Sequence, residues 1–273
     1  QVGVTKDLVE AYINIEGNPL SLSTFSYDDN ALEDVFENRD PRLKQLLYYP
    51  GFTVYEGQQS LEYPDVPNLD NCPTGYHLKK GASQLYDNHV NFNEDETDFI
   101  IFRYGEVLLN YIEAKAELDL SSITQADLDE TVNALRERAG LPAAAHLNLG
   151  DVPEDNQNVF YQNGLAPLLV EIRRERRIEL ACEGYRLDDL RRWAAIEEVL
   201  LGKKKFYGAK YDWWVQTSND YNDGDFTVNN EGYLDPWEDN QGYTGFNSNR
   251  DYLYPLATDE IGLAGYEQNP NWE

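Results

Sequence analysis

The sequence is poor in the residues on which metal sites, disulfide frameworks and catalytic triads depend. Its 273 residues include two cysteines, three histidines and no methionine. Two cysteines cannot form the disulfide framework of a small secreted domain, although one bond between Cys72 and Cys182 stays open. For Cys182, within an apparent helix, we expect a buried free thiol. Three histidines in loop sequence support neither a triad nor a metal centre, so we predict no metal and no cofactor.

Basic residues are also scarce. Lysine and arginine total 22 against 50 aspartates and glutamates, which gives a net charge of −28. Repulsion over the whole surface therefore makes nucleic acid or an anionic membrane surface an unfavourable partner. No stretch of eighteen apolar residues is present, which excludes an apolar membrane-spanning helix. The sequence also lacks a nucleophile elbow, a phosphate-binding glycine loop, a dinucleotide fingerprint and a zinc-protease HExxH helix.

The remaining composition is that of a folded protein, with 41% hydrophobic and 13% aromatic residues. This length suits one large domain or two small ones. The sequence does not begin with methionine and its first residues read like the middle of a domain. We therefore expect that a signal peptide was removed or that a front portion is missing.

The clearest helical pattern extends from Phe102 to Leu118. Apolar residues recur there at spacings of three and four, with one polar exception, in the series Tyr104, Val107, Leu108, Tyr111, Ile112, Lys115 and Leu118. A second helix follows Thr124, which resembles a cap with Asp127, and it ends at Gly140. The two helices predict an antiparallel hairpin of the size of a tetratricopeptide unit, although an ordinary helix pair explains the periodicity equally well.

The densest cluster of charge lies between Pro167 and Trp193. We predict one helix from Pro167 to Gly184 and a second segment from Asp188 to Leu201. Four glutamates recur every four residues, which would repel each other in an isolated helix: Glu171, Glu175, Glu179 and Glu183.

Two interpretations of this cluster are open, a solvated charged face or a half-buried ion network. The exclusive use of arginine favours the network, because the planar guanidinium suits bidentate pairing where water is scarce. We therefore predict that Glu175 and Glu179 are buried and paired with arginine. Arg176 and Arg103 are the predicted members of the network, and Arg136 is a further candidate partner.

Two regions, from Pro50 to Asp98 and from Tyr207 to Tyr254, have no helical period and predict long loops with a few short strands. They combine aromatic residues with asparagine, aspartate and glycine. Sugar rings stack on aromatic faces while their hydroxyl groups bind amides and carboxylates, so this composition suits a glycan-binding surface. The candidates are Trp213, Trp214, Trp237, Tyr55, Tyr63, Tyr221 and Tyr243. Alternatively these rings are core residues that hold the loops, and in an extended chain at least one of Trp213 and Trp214 would point inward.

Five stretches and the closing residues together resemble the SusD/RagB family, the surface glycan-binding lipoproteins of bacteria that degrade polysaccharides. The resemblance covers essentially the whole chain. It is carried by Asn38–Leu43, Phe102–Leu118, Val132–Pro142, Glu175–Trp193, Asn249–Ile261 and the closing Asn269–Trp272.

The resemblance implies a mostly α SusD-like fold with tetratricopeptide-like helix pairs, long irregular loops and few short strands. It implies one domain over residues 1–273 that lacks the family's N-terminal part, which carries the signal peptide, the lipid-bearing cysteine and most helix pairs. Membrane contact would then come only through the lipid anchor on that part. The implied location is the outward-facing surface of the outer membrane.

The function implied is non-catalytic binding of oligosaccharide or polysaccharide and its delivery to a SusC-like TonB-dependent transporter. The family's sugar contacts lie in variable loops, so none can be transferred to a position here. Two alternatives remain: a carbohydrate hydrolase of the same system, since none of the fifty acids is singled out or excluded, and a binder or lid for peptide or glycoprotein cargo.

Overall fold

The computed structural model describes residues 3–55, 61–63, 69–82, 98, 100–155, 164–201, 206–218, 220–238 and 246–272. Most regular structure in these residues is helical, as expected: α1 (Lys6–Ala11), α2 (Pro41–Leu46), α3 (Tyr104–Leu118), α4 (Gln125–Leu128), α5 (Ala134–Ala139), α6 (Pro167–Glu179), α7 (Arg186–Arg192), α8 (Tyr211–Thr217) and α9 (Thr258–Ala264). Two short strands, β1 (Thr53–Tyr55) and β2 (Leu61–Glu62), pair antiparallel. None of the described helices is long and apolar enough to cross a membrane.

The second helix of the hairpin begins and ends where the sequence predicts. Thr124 and Asp127 form a reciprocal capping box, in which each side chain accepts a hydrogen bond from the other residue's backbone N–H. A π-helical turn (Asp129–Asn133) joins α4 to α5 without a break. Gly140 then adopts a left-handed conformation with φ of 94°, which stops α5.

The hairpin is antiparallel. Leu109 of α3 packs with Leu135 near the end of the second helix. Further along α3, Ile112 and Ala116 share a cluster with Leu128, near the beginning of that helix. The reversed order of these contacts confirms the expected hairpin.

Helix α3 packs on one of two apolar faces that its sequence offers. Its buried residues are Gly105, Leu109, Ile112, Glu113 and Ala116. Most of the predicted apolar series is instead exposed, namely Tyr104, Val107, Tyr111 and Leu118. Both sets recur at spacings of three and four, so periodicity alone does not tell which face packs. The predicted helix is confirmed, and only its contacts show which of its two apolar sides packs.

Helix α6 ends at Glu179, five residues before the predicted end at Gly184. Both Cys182 and Gly184 have positive φ angles, 62° and 93°, which cannot continue a right-handed helix. The next helix, α7, covers Arg186–Arg192. After a break at Ala194, where φ is 52°, a π-helical turn (Glu197–Leu201) completes the predicted helical segment Asp188–Leu201. The early end leaves Cys182 exposed in the turn, which corrects its expected burial, and both Cys72 and Cys182 are free thiols.

The three glutamates that recur every four residues on α6, namely Glu171, Glu175 and Glu179, are buried in a network of ion pairs. Glu175 is 0% exposed and pairs with Arg42 of α2 and with Arg136 of α5, the latter at 3.0 Å. Glu179 is also buried and accepts hydrogen bonds from Arg42 at 3.0 Å and from Arg103. The structure therefore has the burial and arginine pairing expected for both glutamates. The network locks α6 against α2, α5 and the start of α3.

Arg176 does not share in that network, which corrects its predicted place. Residues one position apart on a helix point about 100° apart, so Arg176 projects away from Glu175. It pairs with Asp189 of α7 at 2.8 Å and approaches Glu113 of α3 to 3.6 Å. Arg192 also binds Glu113, at 2.6 Å. This second cluster holds α7 against α3.

The charge of Glu179 predicts loss of stability in acid. Burial by itself raises the pKa of this carboxyl, but the charge of Arg42 and the hydrogen bonds of Arg103 outweigh burial and hold it below its ordinary value. A folded-state pKa below the unfolded one stabilises the fold at neutral pH, and the stabilisation is lost as pH falls through the folded pKa. We expect the stability gap between wild type and Glu179→Gln to shrink below about pH 4.3.

The measurement is urea unfolding followed by circular dichroism at a series of pH values from neutral to acid. Glu130→Gln is the control, because Glu130 is exposed on the π-helical turn and lies outside the network, so its removal should leave the dependence of stability on pH unchanged. If the difference in the free energy of unfolding between wild type and Glu179→Gln stays constant as the pH falls, the pKa of Glu179 is not lowered by folding.

Candidate glycan-binding site

Two of the predicted glycan-stacking residues lie on a helix within the region predicted to be a loop. Trp213 and Trp214 belong to α8, where both side chains can enter the core, whereas in an extended chain they would diverge. Trp214 is 0% exposed, and its ring lies edge-on to that of Trp213 with centroids 5.0 Å apart. Because the segment is helical, both tryptophan rings point into the core, which the sequence alone did not settle.

Tyr63 and Tyr221 pack around the same ring. Their centroids lie 5.9 Å and 6.2 Å from that of Trp214. The Tyr63 hydroxyl donates to the backbone carbonyl of Gly75 at 3.0 Å, and the Tyr221 hydroxyl accepts from the backbone N–H of Leu69 at 2.9 Å. The glycan-stacking prediction is therefore corrected for all four residues, because their buried rings hold loops in place and offer no free face to a sugar.

The other three predicted residues have different outcomes. Trp237 is 51% exposed, so its ring is available to a ligand. Tyr55 lies in β1, but its side chain is outside the described part of the structure. Tyr243 also lies outside the described residues. A binding role for these three stays a prediction.

A pocket that the sequence analysis did not identify lies between α7 and the closing segment of the chain. Its volume is about 350 Å³, within the range typical of small-ligand sites. The residues that line it are Arg191, Phe246, Asp251, Leu253, Tyr254, Pro255 and Trp272. Three of them are aromatic, which is the composition that a sugar-stacking site requires.

Side-chain amides hold the walls of this pocket in place. Asn269 donates to the carbonyl of Tyr254 at 2.6 Å, and Asn271 donates to that of Asn249 at 2.7 Å. The Trp272 indole donates to the carbonyl of Leu253 at 3.1 Å. The closing Asn-Pro-Asn-Trp stretch thus fastens itself to the strip of chain that carries Tyr254.

Packing against α7 orients the other wall. Phe246 and Tyr252 lie edge to face, with centroids 5.0 Å apart, and they pack on the apolar cluster that contains Leu190 and Trp193. The guanidinium carbon of Arg191 lies 3.9 Å from the centroid of the Tyr254 ring. A cation at this distance is attracted to the ring and holds it in one orientation.

The pocket combines an accessible ring with polar groups. Tyr254 is 62% exposed although Arg191 lies over its ring. Two nitrogens of Arg191, Nε and Nη1, are buried and have no hydrogen-bond partner among the described residues. Hydrogen bonds from Arg250 and from the backbone N–H of Asn247 hold the pKa of Asp251 below its ordinary value, so this carboxylate is ionised and accepts hydrogen bonds at neutral pH.

Two larger cavities fit a sugar less well. A cleft of about 810 Å³ beside the end of α6 is lined by Arg42, Lys80 and Arg103, but these cations already form ion pairs with the glutamates of α6 and the following turn. A cavity of about 740 Å³ near the start of α6 has no aromatic residue in its lining. Within the described residues no group of histidine, cysteine and carboxylate side chains is arranged to hold a metal.

Comparison with known proteins identifies the family of this chain. The SusD family model matches residues 1–272. The chain belongs to the SusD family. A SusD-like protein, P38, from Formosa agariphila is 35% identical over 171 residues, which are 63% of this chain and 29% of that protein.

Two solved SusD-family structures from Bacteroides fragilis are similar in fold. One is a SusD-like carbohydrate binding protein, with a TM-score of 0.61 and 28% identity over 94% of this chain and 46% of that one. The other is a SusD-like protein, with a TM-score of 0.59 and 23% identity over 99% of this chain and 47% of that one. The chain therefore spans about half the length of these relatives.

The pocket lies in stretches that also carry the resemblance to the SusD family. All of its lining residues except Phe246 come from Asn249–Ile261, from the closing Asn269–Trp272 and from the charged stretch before Trp193. The signal that could have identified it is the density of tyrosine, tryptophan and arginine near the end of the chain. In the sequence these stretches resemble family motifs, and the pocket forms only when they fold together.

Proposed function

We propose that this SusD-family chain binds oligosaccharide or polysaccharide without acting on it chemically. The observation that carries the proposal is the pocket of about 350 Å³ in which Tyr254 is exposed beside Arg191 and Asp251. A sugar ring has flat C–H faces that stack on an aromatic ring, and hydroxyl groups that accept from a guanidinium and donate to a carboxylate. An aromatic ring, a guanidinium and a carboxylate therefore lie together in one pocket whose walls are held by hydrogen bonds.

The family supports the same ligand class. One solved relative is described as a carbohydrate binding protein. By its resemblance to the SusD family, we further propose that the full protein is an outward-facing lipoprotein of the outer membrane. There it would deliver glycan to a SusC-like TonB-dependent transporter.

Affinity electrophoresis through gels that contain plant or host polysaccharides tests the proposal. We expect at least one polysaccharide to retard the chain. Tyr254→Ala should weaken that binding by about tenfold, because it removes the stacking face, worth about 1.5 kcal/mol. The matched control is Tyr266→Ala, which removes an exposed tyrosine outside the pocket.

Several results would count against this site. Failure of every polysaccharide to retard the chain would favour the lid or peptide-cargo alternative. Retardation that Tyr254→Ala leaves unchanged and Trp237→Ala abolishes would move the site to the surface around Trp237. Release of reducing sugar with sustained turnover would establish the hydrolase alternative.

A further inference from the structure

Arg191 gives the pocket between α7 and the closing segment a positive charge that no described carboxylate neutralises. Its nitrogens Nε and Nη1 are buried and have no hydrogen-bond partner among the described residues. The next residue, Arg192, by contrast pairs with Glu113 at 2.6 Å. An unpaired arginine is unexpected in a chain with 50 acidic and 22 basic residues. Because buried donors in native proteins nearly always have a partner, this guanidinium is suited to one that a ligand supplies.

The carboxylate in the same pocket is already paired with another arginine. Nε of Arg250 lies 2.6 Å from Oδ1 of Asp251, and Oδ2 of Asp251 accepts a hydrogen bond from the backbone N–H of Asn247 at 2.6 Å. Within the part of the chain that the structure describes, Asp251 forms an ion pair with Arg250 and none with Arg191. The charges of Asp251 and Arg250 therefore cancel, and the charge of Arg191 remains.

Water screens the charge of Arg191 only in part. The residue is partly buried, and its guanidinium carbon lies 3.9 Å from the centroid of the Tyr254 ring, which covers one face of the cation. Opposite charges attract each other several times more strongly in such a place than in bulk water. The third nitrogen, Nη2, is not among the buried ones, so a ligand has access to the edge of the guanidinium.

We propose that this pocket selects glycans that carry an anionic group, a carboxylate or a sulfate ester, which pairs with Arg191. Selection of this kind rests on the proposed function, because the sugar ring must stack on Tyr254 to bring its anionic substituent to the neighbouring guanidinium. The planar guanidinium donates parallel hydrogen bonds to two oxygens of one oxyanion. A neutral sugar would accept hydrogen bonds from Arg191 but would leave its charge unpaired.

The net charge of the whole chain opposes an acidic ligand only at long range. A charge of −28 repels a polyanion as it approaches. At physiological salt this repulsion is largely screened beyond about 8 Å, whereas a contact inside a pocket is screened much less. We therefore expect the preference for acidic glycan to persist at physiological salt and to depend on Arg191.

Affinity electrophoresis at physiological salt with matched polysaccharides measures this preference. Polygalacturonate is compared with its methyl ester, and dextran sulfate with dextran, so that each pair shares a backbone and differs in charge. We expect the acidic member of at least one pair to bind at least about tenfold more tightly than the neutral member, which is the effect of one charged hydrogen bond. A preference within the first pair alone identifies a carboxylate, and one within the second pair alone identifies a sulfate.

Arg191→Met tests whether this side chain is the source of the preference. Methionine still packs against Tyr254 but has no charge, so the ratio of acidic to neutral affinity should fall about tenfold. The matched control is Lys44→Met, because Lys44 also lies over a tyrosine ring, 5.2 Å from the centroid of Tyr49, and is outside the pocket. Circular dichroism checks that both variants fold, and Arg191→Gln replaces the methionine variant if that one does not.

The possible results separate the selection from the binding itself. Equal affinity for acidic and neutral members overturns the proposal, and the proposed function stands if Tyr254→Ala still weakens binding. Retardation by neutral polysaccharides alone overturns it in the same way. An acidic preference that survives Arg191→Met also overturns it, because the selecting charge then lies elsewhere. Failure of every polysaccharide to retard the chain contradicts the proposed function and the selection together.

Discussion

Replacement of Glu175 by alanine should lower the free energy of unfolding by about 3 to 5 kcal/mol, the cost of removing one partner from a buried ion pair. The carboxylate is fully buried and bridges Arg42 and Arg136, which are themselves 5% and 1% exposed. Without it, two guanidinium groups lose a counter-charge in a place that water does not reach. Urea unfolding followed by circular dichroism at neutral pH measures the change.

Glu117→Ala is the matched control for that experiment. Glu117 also pairs with an arginine, Arg173 at 2.5 Å, but its side chain is 42% exposed. Water reaches the Glu117 end of this pair, although Arg173 itself is only 4% exposed, so we expect a clearly smaller loss than for Glu175→Ala. If Glu175→Ala and Glu117→Ala destabilise the chain equally, the α6 network is a solvated face rather than a buried lock. A cycle of Glu175→Gln, Arg136→Gln and the double variant would then isolate the coupling of that pair.

Replacement of Trp214 by alanine should cost about 3 to 5 kcal/mol, the range for removal of a large aromatic side chain from a core. Its ring lies at the centre of an aromatic cluster, with centroids of Tyr63, His77 and Tyr221 between 5.8 Å and 6.2 Å away. Neighbours anchored on separate loops cannot all collapse into the space, so a cavity remains. Urea unfolding followed by circular dichroism measures this change. Tryptophan fluorescence is less suitable, because the substitution itself removes a fluorophore.

Comparison with Trp237→Ala shows whether the tryptophans stabilise the core or bind glycan. This ring is half exposed, so its removal should change stability by no more than about 0.5 kcal/mol. If Trp214 is a core residue, Trp214→Ala lowers the free energy of unfolding, and any loss of glycan binding follows from unfolding of the chain. If Trp214→Ala proved stable and yet failed to bind glycan, its ring would have to be restored to the list of stacking residues.

The hairpin was predictable because its signals are local. The capping box joins residues three positions apart, and the left-handed Gly140 stops the helix at its own position. The buried glutamates were also predictable, since four like charges at helical spacing require cations. Their partner Arg42 was not, because it is 133 residues from Glu175 and nothing in its own stretch indicates that contact.

Other features depended on a choice between two equivalent local patterns. Helix α3 is apolar on two faces, and only contact with α4, α5 and α6 decides that Leu109 and Ile112 are buried while Val107 is exposed. The tryptophan pair failed for a related reason. Aromatic residues among asparagine and glycine suit a sugar or a core equally, and the turn of α8 places both rings inside.

The stretch from Pro167 to Trp193 shows what local sequence determines and what tertiary contacts decide. The sequence alone determined that α6 is a helix, that its glutamates need arginines and which family the chain resembles, because propensity, charge spacing and motif are properties of neighbouring residues. Tertiary structure alone decided which arginines meet those glutamates, which face of α3 packs and that the end of the chain closes a pocket against α7. The physical reason is that burial and pairing depend on contacts between segments far apart in the chain.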